Sequence, residues 1–196
     1  MNVIVQGKTM LEAAIRKAEK EYEGKVKYAI ICGSKSYGMT TAHDFDCVVV
    51  LDCDNFHSAF YKKDGEDIFV YSHRAFMDAL QFKLRQSVGL HSYLACYMAK
   101  KRAENCLIGD ISELDYDFNK YRKEAILEAI SRCDRERYKW IYHSYALLYI
   151  LQNGNANFTE EQLQTMQECK ALKLDKAQIG MLKLALEEQL LMDKSS

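Results

Sequence analysis

Two short apolar runs, joined by a loop between glycines, constrain the fold of this chain more than any other feature. The first run, 28–32, reads YAIIC without a polar interruption, which is typical of a strand buried on both faces. Gly33 ends this run, and Gly38 follows five residues later. The second run, 47–51, reads CVVVL, and its β-branched residues favour a strand. The stretch therefore predicts two buried strands separated by a tight loop.

The second strand opens with two carboxylates. Asp44 and Asp46 flank Phe45, and because side chains alternate along a strand, both carboxylates lie on one face, about 7 Å apart. Mg²⁺ commonly takes one or two carboxylates together with substrate phosphates. The Gly33-Ser34 turn just upstream offers backbone N–H groups and a hydroxyl to a phosphate. Together these residues predict metal-assisted phosphoryl or nucleotidyl transfer.

These residues resemble the signature of the DNA polymerase beta-like nucleotidyltransferase superfamily, in which a Gly-Ser turn precedes an acidic pair that opens the next strand. The fuller string, GSKSYG…HDFDCVVV, looks like the stand-alone predicted nucleotidyltransferases of bacteria and their phages. In that branch the residue before the first aspartate is commonly Ser or Thr, whereas here it is His43. This departure leaves the geometry of the turn open.

The resemblance implies an α+β fold, with a small mixed sheet and flanking helices followed by a C-terminal helical bundle. It implies a nucleoside triphosphate as substrate and Mg²⁺ or Mn²⁺ as the metal. Asp44 and Asp46 would be catalytic metal ligands, and Gly33 and Ser34 would bind the phosphates.

Superfamily members carry a third metal-binding carboxylate on a later strand. In this chain Asp67 leads the apolar run 68–71, which passes directly into a helix that Ser72 is predicted to cap. Asp67 is therefore the predicted third ligand and catalytic carboxylate. Glu66 is the alternative, because a shift of one residue changes the face of the strand. A simple turn residue at a strand edge is the competing interpretation of Asp67.

Helical periodicity and capping residues predict most of the remaining elements. A capping box at Thr9 and Glu12 opens a helix over 9–23. Further helices are predicted over 72–86, 90–103, 118–152 with a break near residue 134, 159–169 with a capping box at its start, and 175–192.

Two segments are predicted to lack regular structure. A polar loop spans 52–66 and contains a second aspartate pair, Asp52 and Asp54, which favours a solvated turn. The segment 105–116 is predicted as an irregular linker. This linker divides the chain into a nucleotidyltransferase-like α/β domain, 1–104, and a helical domain, 117–196.

Two groups of basic residues are candidates for binding a nucleotide or a nucleic acid. Lys139 and His143 share a helix face, and the resemblance implies that such a pair contacts the phosphates or base of a nucleotide. A packed core histidine is the alternative. The segment between Asp78 and Glu104 has no acidic residue and contains Lys83, Arg85, Lys100, Lys101 and Arg102. This basic segment favours RNA or tRNA as the acceptor, with a solvated helix face as an equal alternative.

Composition limits the class of protein. A net charge of −1 gives no general attraction to nucleic acid, and no apolar run approaches the length of a membrane span. The seven cysteines occur singly, without a C-x-x-C pair, which argues against a zinc ribbon and against a secreted disulfide scaffold. The expected location is therefore the reducing cytoplasm, with no membrane partner.

The predicted function is transfer of a nucleoside monophosphate from a nucleoside triphosphate to an acceptor hydroxyl, with release of pyrophosphate. The alternative is a non-catalytic nucleotide-binding, antitoxin or regulatory module that retains the fold.

Overall fold

One mixed sheet organises the protein. The computed structural model describes residues 3–39, 45–63, 66–84, 88–135, 138–171 and 173–192. Within these residues, five strands pair in the order β3-β4-β2-β1-β5, and only β2 and β4 run parallel. The strands are β1 Lys25–Cys32, β2 Phe45–Asp52, β3 Ser58–Lys63, β4 Glu66–Ser72 and β5 Cys106–Ile108.

Helices flank the sheet and form the C-terminal half. The described helices are α1 Val3–Tyr22, α2 Gly33–Ser36, α3 His73–Leu80, α4 Gly89–Lys101, α5 Arg122–Asp134, α6 Tyr138–Asn153, α7 Glu160–Lys170 and α8 Lys176–Met192. This arrangement confirms the predicted α+β class, a small mixed sheet with flanking helices followed by a helical bundle. In the described ranges, no helix has both the length and the apolar content that crossing a membrane requires.

The middle strand, β2, is covered on both faces. Val49 packs with Leu11 and Ile15 of α1, while Val48 and Val50 belong to the larger core on the opposite face. Because side chains alternate, the unbroken VVV run supplies one wall of each core. Fully burying each valine contributes about 1.5–3 kcal/mol.

The larger core joins the sheet to the helical half. It includes Ile30 of β1, Leu94 of α4, Leu147 of α6 and Leu182 of α8, each almost completely buried. The division into domains 1–104 and 117–196 stays a prediction, but buried residues from both ranges form one continuous cluster.

The two segments predicted without regular structure contain strands. Cys106–Ile108 form β5, so the prediction of an irregular linker over 105–116 is wrong there, because Ala29 of β1 pairs with Ile108. Ser58–Lys63 form β3 within the predicted polar loop and pair antiparallel with β4. Because β3 lies at the edge of the sheet, most of its solvent-facing side chains are polar, and its sequence therefore resembles that of a loop.

Two helices begin at the predicted caps, Ser72 and Thr159, although α3 ends at Leu80 and not at residue 86 as predicted. The backbone N–H of Ala75 donates to Ser72 Oγ at 3.1 Å, and Thr159 and Gln162 form the predicted capping box of α7. The first helix differs, because α1 begins at Val3 and Thr9 lies inside it. The break near residue 134 separates α5 from α6 as predicted.

Three residues of the basic segment make contacts within the fold. Lys100 Nζ donates to the carbonyl of Leu114, and Lys83 forms an ion pair with Asp78 at 3.7 Å. The guanidinium of Arg102 donates to the carbonyl oxygens of Ala156 at 2.7 Å and of Ser36 at 3.4 Å. Arg85 lies outside the described residues. These contacts favour the structural interpretation of the segment.

We expect Arg102→Met to lower the free energy of unfolding by about 1–3 kcal/mol, because hydrogen bonds from a charged group to two carbonyl oxygens are lost. Lys101→Met is the matched control, since Lys101 is exposed and lies 5.8 Å from the centroid of the Tyr97 ring. Urea unfolding measures both variants. Equal stability of the two variants would contradict a structural role for Arg102.

Candidate functional site

Two carboxylates lie side by side on the sheet face that the helical half covers. Asp46 of β2 and Asp67 of β4 are direct partners in the parallel register. Each lies two residues before a residue of the larger core, Val48 and Phe69 respectively, and so shares its face. Neighbouring strands are about 4.8 Å apart, and like charges directly opposite each other destabilise a sheet. The structure thus places two carboxylates next to each other on this face.

The register separates the two candidates for the third carboxylate. Glu66 is the partner of Phe45, whose side chain packs in the smaller core against α1. Asp67, one residue later, lies on the opposite face with Asp46. The structure thus brings Asp46 and Asp67 together, whereas Asp44 lies outside the described residues.

A lysine lies beside Asp67. Lys62 of β3 is its antiparallel partner, and Lys62 Nζ is 3.3 Å from Asp67 Oδ1. The two atoms form an ion pair without the alignment of a hydrogen bond, and this buried oxygen has no hydrogen-bond partner among the described atoms. The Asp67 side chain keeps 22% of its surface exposed. One carboxylate oxygen of Asp67 therefore has capacity for a further ligand.

Gly33 brings the turn after β1 against Asp46. Cys32, the last residue of β1, pairs with Asp46, so Gly33 begins the turn directly beside that carboxylate. Gly33 has a φ of +64°, and a Cβ at this position would overlap with Oδ2 of Asp46. Only glycine combines this backbone conformation with such a close approach.

Ser34 and Lys170 add a hydroxyl and a cation to the same place. Ser34 is completely buried, and Lys170 Nζ donates to its Oγ at 2.9 Å. Lys170 lies in the last turn of α7, 136 residues further along the chain. Sequence reasoning missed Lys170, because no local pattern connects it with the Gly-Ser turn. A hydroxyl and an ammonium group next to two carboxylates suit a phosphate that is also bound to a cation.

His143 connects the turn to the helical half. It is fully buried on α6, and its Nδ1 shares a hydrogen bond of 2.7 Å with the hydroxyl of Tyr37. Its ring also lies edge-on to His91, with centroids 5.4 Å apart. Burial, Arg132, His91 and Lys170 all lower the pKa of His143 well below its usual value, so the ring is neutral. This placement supports the packed-histidine alternative.

The nucleotide contact expected of the Lys139–His143 pair stays a prediction. His143 has no exposed surface from which to reach a ligand. The side chain of Lys139 lies outside the described residues.

The cysteine next to the carboxylates is not a nucleophile. Burial raises the pKa of the Cys32 thiol well above its usual value, and the charges of Asp46, Cys47 and Asp67 raise it further. Since the thiolate is the reactive form, Cys32 remains an inert, protonated core residue. The site therefore offers carboxylates, a hydroxyl and an ammonium group.

No protein-family model and no curated protein matches this sequence. Among solved structures, the chain is similar to a nucleotidyltransferase-like protein from Exiguobacterium sibiricum 255-15, with a TM-score of 0.32 and 12% sequence identity. The match covers 93% of this chain and 75% of that protein. A likeness this loose assigns no role to individual residues.

We expect Gly33→Ala to destabilise the protein more than Gly38→Ala. Both glycines have positive φ, which costs about 1–2 kcal/mol for an alanine. At Gly38, however, a Cβ would meet only Arg102 Nη1 at 3.5 Å, an ordinary contact. The extra loss at Gly33 should disappear when Asp46 is also changed to Ala, and urea unfolding of the double-mutant cycle measures this coupling. Additive losses would show that Gly33 and Asp46 do not touch.

We expect His91 to make stability depend on pH. Burial and the charge of Arg132 lower the pKa of His91 to about 4, whereas the unfolded chain binds the proton near pH 6.5. As pH falls from 7 to 5, protons bind the unfolded chain first and the free energy of unfolding decreases.

Between pH 7 and pH 5, the free energy of unfolding of His91→Gln should therefore decrease by about 2 kcal/mol less than that of wild type. Urea unfolding at pH 7 and pH 5 measures the difference. His57→Gln, at an exposed position, is the matched control. A variant that loses as much stability as wild type would contradict a buried, neutral His91.

Proposed function

We propose that this protein transfers a nucleoside monophosphate from a nucleoside triphosphate to an acceptor hydroxyl. One observation supports this most strongly. Asp46 and Asp67 are direct register partners, and Asp46 Oδ2 lies against the Gly33-Ser34 turn that Lys170 contacts. Carboxylates for a cation and hydrogen-bond donors for a phosphate thus occupy one place on the sheet.

The described residues fit a divalent metal of the Mg²⁺ type. Among the residues that the structure describes, no group of three or more His, Cys, Asp or Glu side chains could hold a metal ion. Mg²⁺ does not need such a cage, because it is usually bound by one or two carboxylates plus substrate phosphates and water. Oδ1 of Asp67, which forms an ion pair with Lys62 but accepts no hydrogen bond among the described atoms, is a suitable oxygen donor. Mn²⁺ suits the same ligands, and Asp44 remains a further ligand predicted from sequence.

Each described residue has a distinct part in the proposed reaction. Lys170 binds and orients the β- and γ-phosphates, and the buried hydroxyl of Ser34 accepts a hydrogen bond from its Nζ and so holds the ammonium group beside the turn. Asp46 and Asp67 hold the cation, which when bound neutralises charge on the triphosphate and lowers the pKa of the acceptor hydroxyl. Gly33 keeps the turn close enough for both groups to act on one substrate.

The chemical step needs no covalent enzyme intermediate. The acceptor oxygen forms a bond to the α-phosphorus, and the bond from that phosphorus to its bridging oxygen breaks. Pyrophosphate leaves with the bonding electron pair, and Asp67 accepts the proton of the acceptor hydroxyl. The two oxygens lie in line on opposite sides of the phosphorus.

RNA or tRNA remains the acceptor that we favour. The support from charge is limited, because Lys83, Lys100 and Arg102 contact groups within the fold. Exposed Lys101 is the described member of the basic segment that remains available to a phosphate backbone.

A non-catalytic nucleotide-binding or regulatory module is the second candidate, and one observation favours it. Lys62 lies 3.3 Å from Asp67 and neutralises part of the charge that a metal would otherwise balance. In such a module, Lys62 would replace the cation and the triphosphate would bind without turnover.

We expect Asp46→Asn to reduce transfer at least about 100-fold, because stabilisation by the cation amounts to several kcal/mol. The assay combines the protein, Mg²⁺ or Mn²⁺, each of the four α-labelled nucleoside triphosphates, and cellular RNA or a protein extract. Label in a macromolecule names the acceptor class. Asp52→Asn is the matched control, since Asp52 lies exposed at the other end of the same strand.

The outcomes separate the two candidate functions. Transfer by wild type and by Asp52→Asn, but not by Asp46→Asn, would establish the chemistry. Wild-type activity in Asp46→Asn would refute the assignment of the site. Triphosphate binding by wild type without pyrophosphate release, even with pools of small metabolites, would favour the non-catalytic module.

A further inference from the structure

An aromatic cavity lies on the same sheet face, just beyond Asp67. Its volume is about 530 Å³, within the range of small-molecule sites. Phe69 follows Asp67 by two residues on β4, so it lies roughly 7 Å further along the same face. We call this cavity the aromatic slot; it is lined by His57, Ser58, Ala59, Phe60, Phe69, Tyr71, Leu84 and Val88.

The slot presents an open aromatic surface. Phe60 on β3 is 51% exposed although it is a large apolar residue, and its ring centroid is 4.9 Å from that of Phe69. Phe69 is held from behind by the ring of His91, at 5.1 Å. Aromatic side chains of this kind stack on nucleobases, whatever the base. His57 and Ser58 add hydrogen-bonding groups at the end of the slot.

The position of the slot along β4 places it within reach of an acceptor whose hydroxyl lies at Asp67. Across the sheet, Ser34 after β1, Asp46 on β2, Asp67 on β4 and Lys62 on β3 form one row. The slot begins two residues further along β4 and β3, at Phe69 and Phe60. The leaving pyrophosphate and the attacking hydroxyl lie on opposite sides of the α-phosphorus. With the β- and γ-phosphates at Lys170, the acceptor approaches from the side of Asp67, and the slot begins roughly 7 Å along β4 from that carboxylate.

We propose that the aromatic slot binds the nucleobase of the acceptor, so that a hydroxyl of the attached ribose reaches Asp67. This inference rests on the proposed function. The base stacks on Phe60, and the ribose extends along β4 towards the carboxylates. The cavity volume accommodates one nucleoside, and the shared chemistry is a planar base with a neighbouring hydroxyl, supplied either by a free nucleoside or by the 3′ end of an RNA.

Binding to the inactive Asp46→Asn protein tests the inference without requiring turnover. Isothermal titration calorimetry measures the dissociation constants of the four ribonucleosides and of a short single-stranded RNA. Phe60→Ala in this background should weaken acceptor binding roughly 5- to 100-fold, as expected for loss of one base–aromatic stack. Phe60→Tyr should retain binding, because the aromatic face remains.

The opposite edge of the sheet offers a matched control. Leu107 on β5 is 43% exposed, so Leu107→Ala removes a comparable apolar group far from the slot. This variant should bind all ligands as the Asp46→Asn parent does. If the protein binds RNA but no nucleoside, the base belongs to the 3′ end of an RNA. If it binds both, free nucleosides are also acceptors. Either result supports the inference when Phe60→Ala weakens the binding.

Three results would overturn the inference, and each leaves the proposed function to its own assay. The first is that the Phe60→Ala protein binds nucleosides and RNA as tightly as its Asp46→Asn parent, or that neither protein binds them detectably. The second is that Phe60→Ala weakens binding of a nucleoside triphosphate but not of nucleosides or RNA, which would assign the slot to the base of the donor. The third is dimerisation that Phe60→Ala abolishes in sedimentation experiments, which would assign the slot to a second copy of the chain.

Discussion

The complete enclosure of β2 is the constraint on which the rest of the structure depends. This strand pairs with β1 on one side and with β4 on the other, and packed residues cover both of its faces. A strand in this position cannot shift its register by one residue without moving valines from one core to the other. The residue at its start, Asp46, is consequently held in one place opposite Asp67 and against Gly33. The packing of the apolar run therefore determines the geometry of the candidate site.

The sequence was informative where local pattern and packing agree. The VVV run and the caps at Ser72 and Thr159 are local signals, and the structure has each of them as predicted. The segment that opens with Gly33-Ser34, predicted as a tight loop, begins with the short helix α2. The pairing of Asp46 with Asp67, in preference to Glu66, required the register of two parallel strands joined through β3. A single sequence contains no such information, because one residue of shift exchanges the two faces.

Residues contributed by distant elements were not predictable. Lys170 is one of many lysines in polar helices, and only the docking of α7 brings it to Ser34. The strand β3 has a polar, exposed side and resembles a loop, although its Phe60 and Lys62 line the face that carries Asp67. Charge alone left Arg102 open to either a phosphate contact or a solvated helix face, and its hydrogen bonds to backbone carbonyls lie within the fold.

The turn over 33–37 receives hydrogen bonds from several elements outside the sheet. Lys170 contacts Ser34, His143 contacts Tyr37, and Arg102 and Asn105 both donate to the carbonyl of Ser36. Folding of this turn is thereby thermodynamically linked to docking of the helices. A ligand that binds only the ordered turn would therefore also favour docking of the helices and raise the free energy of unfolding. Under the proposed function, binding at the turn would therefore also stabilise helices that do not touch the ligand.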